Sequence, residues 1–71
     1  MPFIPTEEQI ESLYSLLKQL RRERIEIRLI RFIKWLGNNI KHHEIEINCL
    51  EEEDRYIIYF NGEVKQKYRN K

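Results

Sequence analysis

The chain has 71 residues, 41% of them hydrophobic and 35% charged, and a formal net charge of +1. This length allows one small domain, and domains near this size bury only about 60% of their unfolded surface. The apolar content excludes a disordered chain. No uninterrupted apolar run approaches the ~20 residues of a membrane helix, and the single cysteine, Cys49, excludes an internal disulfide.

Met1 to Pro5 is too short for a secretory h-region and carries no basic n-region. With no disulfide to maintain, the expected setting is the cytoplasm, with no membrane partner.

Thr6 to Gly37 contains no Gly or Pro before its end. The spacing predicts a helix over 6–36, either one long helix or two joined end to end. Thr6 and Gln9 fit a capping box, in which each side chain serves the other residue's backbone N–H. Glu7 and Glu8 occupy the first turn, where the helix dipole favours carboxylates. Gly37 reads as the stop, free to take the left-handed conformation. An unbroken helix of this length reaches about 45 Å, at about 1.5 Å per residue.

The apolar pattern shifts along this stretch. Ile10, Leu13, Leu17 and Leu20 follow a 3, 4, 3 spacing, flanked by Leu16 and Tyr14. Such a stripe seats on another helix or in a groove. Ile25, Leu29, Phe32, Ile33 and Leu36 form a second stripe, rotated by roughly a third of a turn. The two halves therefore face different neighbours, or the chain bends near Arg21 to Arg24. Ile25, Ile27 and Leu29 also alternate as a strand does, but the fuller fit is helical.

After a connector over Asn38 to His43 the period becomes two. Glu44 to Cys49 reads as a first strand, Glu51 to Asp54 as a turn, and Arg55 to Phe60 as a central strand. Asn61-Gly62 signals a two-residue hairpin turn. Glu63 to Tyr68 returns as an edge strand whose lysines oppose edge-to-edge aggregation. Arg69 to Lys71 is expected to fray.

This pairing sets Cys49 opposite Tyr56, Ile47 opposite Ile58 and Ile45 opposite Phe60, and Ile57 opposite Gln66. One face then carries Ile45, Ile47, Cys49, Tyr56, Ile58 and Phe60, the expected core, covered by Leu29, Phe32, Ile33 and Leu36. The other face carries Ile57, Tyr59, Val64 and Tyr68, a candidate second contact surface. One misfit stands: Glu63, Lys65 and Lys67 fall on the core face, unless they lie beyond the helix or the second turn carries a bulge.

Charge is unevenly placed. Residues 1–17 sum to −3, residues 18–36 to +5, residues 44–54 to −6 and residues 55–71 to +4, with Lys41 making up the rest. This layout suggests pairing within the fold or between copies. On a continuous helix Arg21, Arg24, Arg28 and Arg31 share one face, a ridge suited to nucleic-acid phosphates or an acidic protein surface. None of the four has an acid three or four residues away, so any counter-charge must come from elsewhere, and the turn at 51–54 is the candidate. A solvated or internally paired face is the plainer reading.

Other candidates are weaker. His42, His43, Glu44 and Cys49 are metal-ligand types without the spacing of a zinc site, so no metal is expected. Cys49 falls on the core face, where a thiol packs as a small apolar group. The acidic turn lacks the interleaving and Gly of a calcium loop. Trp35, Tyr56, Tyr59 and Phe60 can stack on bases but fit core positions better. No phosphate loop, triad or distinctive carboxylate pair is visible, and no cofactor is implied.

The sequence therefore predicts an α+β fold, with a helix or helix pair over 6–36 and a three-stranded antiparallel meander over 44–68, in a single domain. The expected function is a non-enzymatic interaction and regulatory module. It is expected to be homodimeric and to bind a partner protein through Ile10, Leu13, Leu17, Leu20, Ile57, Tyr59 and Val64. The alternative is a nucleic-acid-binding protein that uses Arg21, Arg24, Arg28, Arg31 and the basic C-terminal strand. Its pI of about 7.9 is low for that class.

Overall fold

The computed structural model describes residues 4–34, 42–50 and 54–68. The predicted stop at Gly37, with Trp35, Leu36, Asn38 and Asn39, lies outside the described residues. So do Glu51 to Glu53 and Arg69 to Lys71. Among the described residues the chain forms one helix, α1 (Glu7–Arg22), and four strands: β1 (Ile27–Lys34), β2 (His43–Cys49), β3 (Asp54–Ile58) and β4 (Val64–Tyr68). The strands make one antiparallel sheet in the order β1-β2-β3-β4.

The start of α1 is the predicted capping box. Thr6 has extended backbone and accepts from the Gln9 N–H at 3.1 Å, and Gln9 Oε1 accepts from the Thr6 N–H at 3.0 Å. The box also docks the helix. Gln9 is fully buried, and its Nε2 donates to the carbonyls of His43 at 3.1 Å and Ile58 at 3.4 Å. Thr6 Oγ1 donates to the Phe60 carbonyl at 2.6 Å. One side chain thus caps the helix and ties it to β2 and β3.

The end of α1 corrects the predicted helix over 6–36. The helix stops at Arg22, and Arg24 takes a positive φ of 60°. The Arg24 N–H donates to the Arg21 carbonyl at 3.1 Å, and the Ile25 N–H donates to the Leu20 carbonyl at 2.9 Å. This is a Schellman closure, with an arginine where glycine is usual. Ile25 also packs on the core that contains Leu20, the apolar contact that accompanies such a closure. Beyond it, Ile27, Ile30, Phe32 and Ile33 are β-formers, and they extend as β1 rather than coil. The predicted meander thereby gains a fourth strand at its edge.

The register explains the two faces. Ile45 opposes Phe32 and Ile58, and Ile47 opposes Ile30 and Tyr56. These residues face α1. Leu16 and Leu20 close on Ile45, Ile47, Cys49, Tyr56 and Ile58 in one buried cluster, with Leu13, Ile25, Ile27 and Ile30 packed against it. Each fully buried Leu or Ile contributes about 1.5–3 kcal/mol. The predicted core face is right for Ile45, Ile47, Cys49, Tyr56 and Ile58. The cover is not: α1 supplies it, while Leu29 and Phe32 stand 44% and 51% exposed on β1. The β2–β3 register is two residues off the prediction, which leaves the faces unchanged.

The β3–β4 register is one residue off, and that exchanges faces. Ile58 pairs with Val64 and Ile57 with Lys65. The turn is not the predicted two-residue one. The Gly62 N–H donates to the Tyr59 carbonyl, the Tyr59 N–H donates to the Glu63 carbonyl, and Gly62 has a φ of 88°. This three-residue loop ending in a left-handed glycine adds a bulge. Lys65 and Lys67 therefore leave the core face, and the misfit disappears. A Cβ on Gly62 meets Glu8 Cβ and the Glu8 carbonyl at 3.0 Å, so the glycine also lets the loop touch α1.

Two substitutions test this account. Gln9→Leu keeps the volume but removes the acceptor of the Thr6 N–H and the donor to the His43 and Ile58 carbonyls, and it is expected to cost about 2–3 kcal/mol in urea unfolding. An unchanged midpoint overturns the docking role. Arg24→Gly relieves the left-handed arginine and is expected to raise stability by about 0.5–1 kcal/mol, part of the gain being offset by glycine's backbone entropy. A loss of stability contradicts the strain.

Candidate interaction surfaces

The sheet face turned away from α1 is built around a buried carboxylate. Glu46, on β2, is 3% exposed. It stands opposite Arg31 on β1 and opposite Ile57 on β3. Arg31 Nη2 lies 2.6 Å and Nε 2.8 Å from Glu46 Oε1. Arg55 Nη1 lies 3.2 Å from Oε2, and Asn48 Nδ2 donates to Oε1 at 3.1 Å. The carboxylate thus joins β1, β2 and β3. Burial pushes its pKa up. The hydrogen bonds from Arg31 and Asn48 and the charges of Arg31 and Arg55 outweigh burial and hold it below the usual glutamate range.

The arginine ridge does not exist as a helix face. Arg21 lies in the last turn of α1 and Arg24 in the closure after it. Arg28 is the extra residue at the β-bulge between Ile27 and Leu29, and Arg31 points to the open sheet face. For Arg31 the counter-charge is Glu46; the acidic turn proposed to supply it lies, at Glu51 to Glu53, outside the described residues. Helical spacing hid that pair, because the partner strand was read as helix.

The predicted contact residues also separate. Leu20 is fully buried, and Ile57 is 4% exposed although it lies on the open face. Val64 is on the α1 side, where it lines a shallow cleft with Ser12, Ser15, Leu16 and Gln19, and Glu11 is the cleft's one titratable group. Tyr59 is half-buried, with Lys65 Nζ 5.6 Å from its ring centre. Leu13 is half-buried against the core. Ile10 and Leu17 remain available, exposed and half-buried respectively.

A different stripe emerges on the outside of α1. Ser12, Ser15 and Gln19 face β4, so residues about half a turn away lie on the β1 side. Glu7, Ile10, Tyr14, Leu17 and Arg21 recur there at spacings of 3, 4, 3 and 4. Ile10 is 53% and Tyr14 64% exposed. Lys18 Nζ lies 5.2 Å from the Tyr14 ring centre, a cation–π contact that holds the tyrosine on this flank. The predicted stripe straddled the buried and outer faces; the outer one has Tyr14 at its centre.

The predicted connector over Asn38 to His43 is also corrected at its end. His43 opens β2 and is buried, and its carbonyl receives Gln9. Cys49 is a buried free thiol within the core. Among the described residues no group of three His, Cys, Asp or Glu gathers to hold a metal ion. Among them, too, no helix is long and apolar enough to cross a membrane.

The Glu46 network sets an acid limit on stability. Its native pKa is lowered, so its contribution is fully present above the ordinary value of about 4.3 and is lost as pH falls through the lower native value. Glu46→Gln is expected to lose about 1 kcal/mol near neutral pH, a modest cost because both guanidinium groups keep solvent contact. The gap to wild type is expected to shrink below about pH 4 in urea titrations. A gap constant down to about pH 2 contradicts the network's role. No family model, curated protein or solved structure matches this chain.

Proposed function

We propose that the protein is a small non-enzymatic interaction module that pairs with a second copy through the outer flank of α1. The observation that carries this reading is the seam of exposed Ile10 and Tyr14 with half-buried Leu17, bounded by Glu7 at one end and Arg21 at the other. Its 3, 4 spacing is that of helices packed side by side. Its charge is self-complementary when two copies run antiparallel. Residues 7–11 carry three Glu, and residues 18–22 carry Lys18, Arg21 and Arg22. About a two-fold axis near Tyr14, Ile10 of one copy faces Leu17 of the other, and Glu7 faces Arg21. Every contact then occurs twice, as an isologous interface requires. A parallel pair brings like charges together at both ends.

A second reading places nucleic-acid phosphates on the open sheet face. Arg31, Arg55, Lys65 and Lys67 share that side by register. It ranks behind protein contact because two of the four already give their charge to Glu46. Binding to arbitrary RNA or DNA that falls steeply with salt supports it, by counterion release.

Light scattering behind a sizing column tests the first reading. The wild type is expected at twice the 8.9 kDa chain mass. Tyr14→Glu sets two carboxylates at the axis, on a residue too exposed to matter to the core. It is expected to give the single-chain mass with an unchanged circular dichroism spectrum. A wild type that stays at single-chain mass at every concentration, or a variant that stays dimeric, overturns the proposal.

A further inference from the structure

The cleft between α1 and β4 has a hydrogen-bonding polarity of its own. Its volume is about 320 Å³, at the lower end of the range for small-ligand sites. Leu16 and Val64 supply its apolar surface, and Glu11, Ser12, Ser15 and Gln19 its polar groups. Two of these groups have their donors turned elsewhere. Ser12 Oγ donates its one proton to the Gly62 carbonyl at 2.5 Å, and Gln19 Nε2 donates to Glu23 Oε2 at 3.4 Å. Ser12 therefore offers the cleft lone pairs alone, and Gln19 offers its amide oxygen. The Glu11 carboxylate only accepts. It makes no ion pair among the described residues. The positions three and four away on the helix hold Glu7, Glu8, Tyr14 and Ser15, so no base stands beside it there. The Ser15 hydroxyl can serve either way.

We propose that this cleft binds a primary alkylammonium group, with the charged head among Glu11, Ser12 and Ser15 and the alkyl stem on Leu16 and Val64. An ammonium carries three donors and no acceptor. That is the complement of a cleft whose polar groups mostly accept and whose one ionisable side chain is an acid. An anion meets the charge of Glu11 and finds one hydroxyl to donate to it. A neutral ligand of the same shape covers Leu16 and Val64 but gains nothing from Glu11. The ammonium can belong to a free amine or to a lysine of a partner protein, and the chemistry that recognises it is the same. The site does not depend on pairing between copies, because it lies on the β4 flank of α1 and the seam lies on the opposite flank.

The test titrates the full chain with n-butylammonium and follows its backbone amide resonances by NMR. Butanol and butanoate serve as the neutral and anionic counterparts of the same length. Butylammonium is expected to move the amides of Ser12, Ser15, Gln19 and Val64 and to half-saturate in the millimolar range, as befits a ligand of so few atoms. Butanol and butanoate are expected to bind at least about fivefold more weakly, the worth of one exposed ion pair. Glu11→Gln is expected to weaken butylammonium by about the same factor. Glu26→Gln removes an exposed acid beyond the helix end and is expected to change nothing. Ser15→Leu, at an exposed position, fills the cleft and is expected to abolish the shifts with an unchanged circular dichroism spectrum. Equal binding of butanoate, equal losses in the two Gln variants, shifts confined to residues outside the cleft, or full binding by Ser15→Leu overturns the proposal. The blocked tripeptide glycyl-lysyl-glycine carries the same butylammonium group. Tighter binding of the tripeptide than of the amine supports the proposal with a partner's lysine as the source, and binding no tighter supports it with a free amine.

Discussion

The architecture depends on the reversal at Arg24. Up to that point the chain is a sound helix, with a capping box, acids in its first turn and bases in its last. Nothing in local propensity forbids continuing, because no Gly or Pro intervenes. The Schellman closure turns the chain so that Leu20 and Ile25 pack on one core, and it returns the next segment antiparallel to β2. A left-handed arginine costs on the order of 1–2 kcal/mol. Burying Leu20, with the apolar groups that β1 brings to the core, offsets that amount. Tertiary packing therefore outweighs the conformational preference of one residue.

The same balance explains what was legible in the sequence. The Thr6–Gln9 box was readable because its chemistry is local, and so was the period-two alternation of β2. The inward face of β2 and β3 followed from that alternation and survived a two-residue slip. The helix end was legible only as a bend near Arg21 to Arg24, in the rotation of the apolar stripe; it was not read as a stop, since its left-handed position holds arginine rather than the glycine that marks such sites. At Asn61-Gly62 the turn was correctly placed, but its length was not. Contact with Glu8 and Ser12 of α1 accompanies the longer loop, and that contact is nonlocal. A one-residue error there exchanged every side chain of β4. The remaining misfit of Lys65 and Lys67 was the signal that could have corrected it.

The candidate surfaces followed the fold errors. An arginine ridge is a property of helical spacing, and it dissolved once residues 27–34 became a strand. What replaced it was a cross-strand network, in which Glu46 takes the charge of Arg31 and Arg55. Buried carboxylates are tolerated when fully partnered, and here three donors converge on one group. The network also explains how a polar residue sits in the middle strand of a sheet face that no described helix covers.

One helix cannot cover a four-stranded sheet and also hide its own outer side. α1 buries Gln9, Leu16 and Leu20, and these point one way. Ile10 and Tyr14 point another way, and Phe32 lies at the margin of the sheet. If these exposed groups were incidental, their charges should be mixed around them. They are not. The α1 seam runs from acid at Glu7 to base at Arg21, and such an order of charge is what gives an apolar flank an orientation, because apolar contact alone has no preference.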